Sequence, residues 1–234
     1  AQFMDRYPGI HGVSVVWPVE KRHLPEFVRR QRADHAPDFT TWTSEPMVDK
    51  STDSSVFYIV GFSEPESANE YLGLDIGSNP MRRKVAERAR DSGSPALSSQ
   101  IQLSAEHRPA FLLFLPFYRT VQPPATVDER RREFLLWINA VFISDEFFGQ
   151  LLDSYSDEID VTVFDGEKAD METYLYSTHP ETNESMSFEL VNVFSHGQRN
   201  FLLGIRKAPG FISAHNSSWS WIVALGSLVA LLMG

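Results

Sequence analysis

The sequence predicts an α+β fold built on two antiparallel sheets, the first of them flanked by helices. Three observations predict it. Runs dense in β-branched and aromatic residues recur along the chain, as in VFYIVGF at 56–62. Between them stand segments with helix punctuation: Asn79-Pro80 closed by Gly93, and Ser144 followed by two acids. Past Tyr155 the strand pattern restarts on a smaller scale, with turn signals at Asp165-Gly166 and His196-Gly197.

Taken in order, Gly12–Val19 reads as a first strand and Leu24–Asp34 as a helix. Phe39–Trp42 reads as a short strand, Ser44–Ser55 as a polar loop and Val56–Phe62 as a strand. Asn79 offers a capping side chain and Pro80 tolerates the first helical position, so a helix runs over Met81–Ser92 until Gly93 stops it. A strand pair follows over Leu97–Tyr118; Pro116 places its second strand near a sheet edge. Glu133–Ile143 is apolar enough for a central strand. Ser144 is expected to cap a helix through Tyr155, with Asp145 and Glu146 in its first turn, where the helix dipole favours acids. Ile159–Phe164 and Glu172–Ser177 read as strands, and Ser187–Ser195 with Arg199–Lys207 as a hairpin.

Composition excludes several classes of function. The chain of 234 residues has a formal net charge of -10, which disfavours phosphate backbones and so a nucleic-acid partner. With no cysteine there are no disulfides, thiolate metal sites or thiol nucleophiles. No HExxH stands in the sequence, no two of the seven histidines are three or four apart, and neither a Walker loop nor a GxSxG elbow is present. No catalytic, metal or cofactor site is therefore expected. From Trp219 to Gly234 no residue is charged, and two tryptophans open the run, as at a membrane interface. This segment, 216–234, reads as the start of a transmembrane helix, slightly short of the ~20 residues of a full span. The chain opens at Ala1 without methionine or signal peptide and reads as an internal fragment with a membrane helix upstream.

One block is more specific. It contains GLDIGSNPMRR (73–83), AERARDSGSPALSSQIQL (86–103) and LPFY (115–118). Upstream stands WPVEKRHLPEFVRRQR (17–32) and downstream TVDERRREFLLWINAVFISDEFF (126–148). In order and spacing these pieces resemble the CHASE domain, the extracytoplasmic sensor module of membrane-bound histidine kinases and nucleotide cyclases. The resemblance covers roughly the first two thirds of the chain. It implies two stacked PAS-like halves: a membrane-distal half at 1–155 holding a small-molecule pocket, and a membrane-proximal half at 156–215. It also implies a homodimer in the inner membrane with its sensor in the periplasm. The output domain it implies is a histidine kinase, diguanylate cyclase, cyclic-di-nucleotide phosphodiesterase or adenylate cyclase.

The resemblance also points to ligand-binding residues: Asp75, Leu97, Leu113, Leu115 and Phe142. In the plant cytokinin receptors of the family the acid matching Asp75 contacts the adenine ring. From the residues alone, Asp75 has two further uses: bonding amides of its own turn, or pairing with Arg82 or Arg83. Leu97 equally suits core packing. Alternation puts Phe111, Leu113, Leu115 and Phe117 on one strand face, a stripe that serves a core as readily as a ligand cage. The strand before Phe142 is glycine-rich in cytokinin receptors but reads Leu136-Trp137-Ile138-Asn139-Ala140-Val141 here, and Glu106-His107-Arg108 replaces a polar contact. A ligand smaller than or differently shaped from cytokinin is expected. Two other readings stay open. One is a ligand-free domain sensing a protein or membrane stress. The other is a membrane-anchored enzyme, for which Glu64, Glu66, Glu70 and Asp75 are the only dense acids near the expected pocket.

Overall fold

The computed structural model describes residues 9–34, 36–43, 55–102, 108–153, 156–157, 159–180 and 187–208. The expected membrane segment 216–234 lies outside them, as do Glu106 and His107. No helix among the described residues is long and apolar enough to cross a membrane. The chain divides into two compact units, one drawn from residues 1–99 and 111–142, the other from 100–110 and 143–234.

The first unit holds an antiparallel sheet. Its strands are β1 (Ile10–Glu20), β2 (Val56–Glu64), β3 (Ala96–Leu97), β5 (Pro109–Tyr118) and β6 (Phe134–Ile143), in the spatial order β2-β1-β6-β5-β3. Register fixes which side chains share a face. Val16 pairs with Trp137 and Ser14 with Asn139; one residue along, Val15 pairs with Ile138 and Val13 with Ala140. The two sets therefore point to opposite sides of the sheet.

The first side is covered by helix α2 (Pro80–Ser92). Its boundaries are local chemistry. The Asn79 side chain accepts the Arg82 amide, Pro80 occupies the first position, and Gly93 closes the helix in the left-handed region at φ 74°. Val85, Ala86 and Ala89 are buried beneath it. Trp137 fills the space between helix and sheet at 0% exposure, donating its indole N–H to the Ala86 carbonyl at 2.8 Å. Tyr58 and Phe134 lie against it, with ring centroids at 4.6 and 4.3 Å. Phe114, also 0% exposed, joins them from β5. Helix α1 (Leu24–Ala33) packs on the opposite side. There Phe27 and Val28 pack with Trp17, Phe57 and the buried Val19, Phe39 and Ile59.

Edges and turns follow their sequence signals with two exceptions. Pairing of β3 with β5 ends at Ala96–Phe114, so Pro116 sits past the stretch paired with β3. Helix α3 (Val127–Glu133) precedes β6; a capping box closes it, with Thr126 taking the Glu129 amide and Glu129 taking that of Thr126. The sequence reading begins the strand at Glu133 and assigns no helix before it. Ser144, expected as a cap, is instead the first residue of helix α4 (Ser144–Leu152), whose N-cap is Ile143. Its hydroxyl is buried without a hydrogen-bond partner.

In the second unit, β4 (Ile101–Gln102) pairs with the start of β5. A separate four-stranded sheet comprises β7 (Ile159–Asp165), β8 (Tyr174–Ser177), β9 (Leu190–His196) and β10 (Arg199–Lys207), in the order β8-β7-β10-β9. Every residue of β7 is buried. Gly197 and Gln198 both have positive φ, the requirement of a two-residue hairpin turn. A Cβ on Gly204 would lie 2.5 Å from the Phe188 ring, so this strand position admits only glycine without rearrangement. Buried Asp165 accepts Arg199 and, through its other oxygen, the Gln100 amide at 2.9 Å. Arg108 spans Asp145 and Glu146 at 2.6 and 2.8 Å, which places both acids of the first turn of α4 in ion pairs.

Candidate ligand-binding site

Asp75 stands on the turn that flanks β2. Its carboxylate Oδ1 accepts the amide of Gly77 at 3.0 Å and that of Tyr58 at 2.8 Å. The first bond is the one an aspartate makes within its own turn. The second ties that turn to the sheet. Neighbouring backbone bonds continue the seam: Gly73 donates to Val60 at 2.8 Å and Val60 to Leu74 at 3.0 Å. Gly73, at φ 80°, has no room for a side chain, since a Cβ would meet the Thr40 carbonyl oxygen at 1.8 Å. Burial pushes the Asp75 carboxyl above its usual range, and the two amides followed by the Arg83 charge work against that rise.

The arginines beside Asp75 are built into the same structure. Arg83 donates to the carbonyls of Gly77 and Val56, lies 4.2 Å over the Tyr58 ring and pairs with Glu87 at 3.6 Å. Tyr58 donates its hydroxyl to Glu87 at 2.8 Å, and burial followed by that bond raises its phenol well above the ordinary value.

The other four expected site residues are grouped differently. Leu97 pairs with Leu113 in register, and its carbonyl accepts Arg88 at 2.7 Å. Leu113 and Leu115 alternate along β5 with Phe111, whose ring stacks on that of Phe142 at 5.1 Å and 8°. All four therefore face the side of the sheet away from α2. Asp75 bridges to Ile59 outside β2, whereas Leu97 is on β3 at the opposite edge. The two are five strand spacings of about 4.8 Å apart, roughly 24 Å along the sheet.

The face away from α2 is apolar and part open. Leu113, Leu115 and Phe142 are half-buried, as are Val13, Val15 and Ile138 from the neighbouring strands. Phe62 and Phe117 on the same face are 55% and 40% exposed, enough to receive a further surface. On this face the Trp17 indole packs against Gly61 of β2; a Cβ there would meet it at 2.8 Å. Beside it opens a recess of about 380 Å³, lined by Trp17, Pro18, Val19 and Phe27 together with Glu20, His23, Glu26 and Arg30. The sequence reading missed this recess, although its residues all fall within the Trp-Pro strand and the helix after it. Among the described residues no cluster of three histidines, aspartates or glutamates is placed to hold a metal ion.

No curated protein matches the chain. Among solved structures it is similar to an extracellular ligand-binding receptor from Desulfohalobium retbaense DSM5692, at 12% identity and a TM-score of 0.41, over 64% of this chain and 28% of that one. It is also similar to two ligand-binding domains of amino-acid chemoreceptors from Pseudomonas aeruginosa PAO1. PctC, in complex with GABA, gives 8% identity and a TM-score of 0.40 over 87% of this chain and 75% of that one. PctB, in complex with L-Arg, gives 11% identity and a TM-score of 0.34 over 84% of this chain and 90% of that one. The model of the CHASE domain matches residues 1–176, the greater part of the 234. The chain belongs to the CHASE domain family of extracytoplasmic sensor domains.

Proposed function

We propose that this chain is the ligand-sensing domain of a transmembrane signal-transduction receptor. In this reading it binds a small molecule on the open face of the first unit's sheet and passes a conformational change to a cytoplasmic output domain. The observation that carries the proposal is the distribution of filling. Trp137 and Phe114 are fully buried on the α2 side, whereas on the other side Leu113, Leu115 and Phe142 keep half-buried apolar surface, and a separate recess opens beside Trp17. Asp75 then positions the edge turn. In this reading residues 1–155 are the membrane-distal half and 156–215 the membrane-proximal half, and the receptor acts as a homodimer in the inner membrane with its sensor in the periplasm. Signalling needs only a few kcal/mol of differential affinity between two packings.

A second reading is favoured by the exposure of Phe62 and Phe117: the same face receives a protein surface in place of a small molecule. Thermal unfolding against a library of metabolites separates the two. A ligand at a hundred times its Kd stabilises by about 2.7 kcal/mol. The sensor reading expects hits that Leu115→Glu abolishes in a protein that still unfolds cooperatively. Hits indifferent to Leu115→Glu refute the assigned face, and no hits across a broad library shift the assignment to the protein partner.

A further inference from the structure

We infer that the outer strand of the second unit's sheet, β9, is the surface through which two copies of this chain pair. This rests on the homodimer of the proposed receptor and names where its two chains meet. β9 (Leu190–His196) ends the order β8-β7-β10-β9, and no strand among the described residues pairs with its other side. Register decides which of its backbone groups are open. Gly166 donates to the Asn200 carbonyl at 2.9 Å, continuing the ladder in which Phe201 stands opposite Asp165. Bonded pairs alternate along an antiparallel ladder, so Asn200, Leu202 and Gly204 bond towards β7, and Phe201, Leu203 and Ile205 towards β9. Their partners on β9 are Phe194, Asn192 and Leu190. The residues between these, Val191, Val193 and Ser195, therefore turn their amides and carbonyls outward.

A row of donors and acceptors at strand spacing is satisfied by one kind of partner, another extended strand. The side chains around this row do nothing to repel one. Leu190 to Ser195 contains no charged residue and no proline, the usual guards of an outer strand. Val191 and Val193 share one face and are 51% and 43% exposed. The segment also fits itself. Turned antiparallel about Val193, two copies place Val193 opposite its own counterpart, Val191 opposite Ser195 and Asn192 opposite Phe194. Every outward amide and carbonyl of the three residues then meets its complement. The valines of both copies form one apolar stripe, and Leu190 faces His196, so no charge stands against a like charge. Because the same strand is used twice, the contact closes at two chains. A single strand pair is small beside a standard interface of about 1,600 Å², so the contact is a weak one in free solution.

The absence of cysteine makes the test direct: in a single-cysteine variant any disulfide joins two copies through the introduced residue. The full 234-residue chain is used, in mild detergent. Counterparts at 193 are about 5.5 Å apart, within the span of a disulfide. Counterparts at 191 are out of register and roughly 14 Å apart. The expected result under mild oxidation is rapid cross-linking of Val193→Cys and at least about tenfold slower cross-linking of Val191→Cys, although Val191 is the more exposed. Val191→Cys mixed with Ser195→Cys cross-links one variant to the other. Val193→Lys sets two ammonium groups against each other and breaks no bond within the sheet, so it weakens dimerisation in sedimentation by about tenfold or more. Equal cross-linking at 191 and 193 overturns the inference. Dimerisation untouched by Val193→Lys also overturns it and leaves the receptor homodimer standing, with its contact elsewhere. A chain monomeric at every concentration removes both. Protection of the Val193 amide from hydrogen exchange then assigns the edge to a segment of its own chain, and free exchange leaves it to a strand of another protein. The metabolite library tests ligand sensing separately from all of these outcomes.

Discussion

Replacing Asp75 separates a structural acid from a ligand-contacting one. Asp75→Ala leaves the buried amides of Tyr58 and Gly77 without their acceptor. Each orphaned group costs about 1–3 kcal/mol, so the pair costs about 4 kcal/mol. For a chain of this size that lowers Tm by roughly 8–16 °C. Asp75→Asn keeps a carbonyl oxygen for both amides and has no charge to desolvate, so it retains most of the stability. The pH dependence gives an independent check. Burial raises the folded pKa of Asp75 above its unfolded value. The folded state then binds the proton more tightly, and stability from this group is greatest below the unfolded pKa and falls as pH rises through the folded one. Asp75→Asn has no such dependence, so its Tm relative to wild type improves as pH rises above about 4, the unfolded value. Thermal unfolding by circular dichroism measures all of this. An alanine variant that melts with the wild type refutes the reasoning, as does an asparagine variant as damaged as alanine.

Further outcomes follow from the packing and the ion pairs. Trp137→Ala empties the space under α2 and removes the indole's hydrogen bond to the Ala86 carbonyl; a loss of about 3–5 kcal/mol is expected in urea unfolding, and a loss below 1 kcal/mol contradicts the packing described. Gly204→Ala forces a Cβ to 2.5 Å from the Phe188 ring and is expected to cost about 1–3 kcal/mol, whereas Gly166→Ala, with φ 122° but open space, strains only the backbone; equal melting of Gly204→Ala and wild type refutes the clash. Burial works to raise the Asp91 carboxyl, but the hydrogen bonds and charges of Arg131 and Arg90 outweigh it and bring it down to about 2. Its folded pKa is depressed, so its contribution is present above the unfolded value near 3.8 and disappears as pH falls through about 2. Asp91→Asn is therefore expected to flatten the acid limb of stability between those values, and an unchanged limb contradicts the assignment.

The helix α2 was legible because its signals are local: Asn79, Pro80 and Gly93 lie within one turn of the ends they set. Helix α3 had an equally local signal in Thr126 and Glu129, but it fills only seven residues before an apolar strand, and the strand dominated the reading. Half of the Asp75 environment was legible for the same reason. Gly77 is two residues away, whereas Tyr58 is 17 residues back and reaches Asp75 only through the bridge at Ile59. Alternation correctly grouped Leu113 with Leu115. It carried no information on which side of the sheet α2 would cover, because both faces of β5 are apolar and the choice depends on where Trp137 inserts. The recess by α1 was hidden because its lining comes from β1 and α1 together, which only the packed fold brings to one place.

The seam between β2 and the Gly73–Asp75 turn has a consequence for the protein in concentrated solution. An outer strand with open amides is a template on which another copy can add, and the strand VFYIVGF has the composition that favours such stacking. Here the amides of Val60 and Tyr58 are already taken, one by a carbonyl and one by the Asp75 carboxylate acting as a single-residue substitute for a neighbouring strand. The turn thus works as a stopper against polymerisation, and loss of the acid exposes a sticky segment as well as weakening the fold.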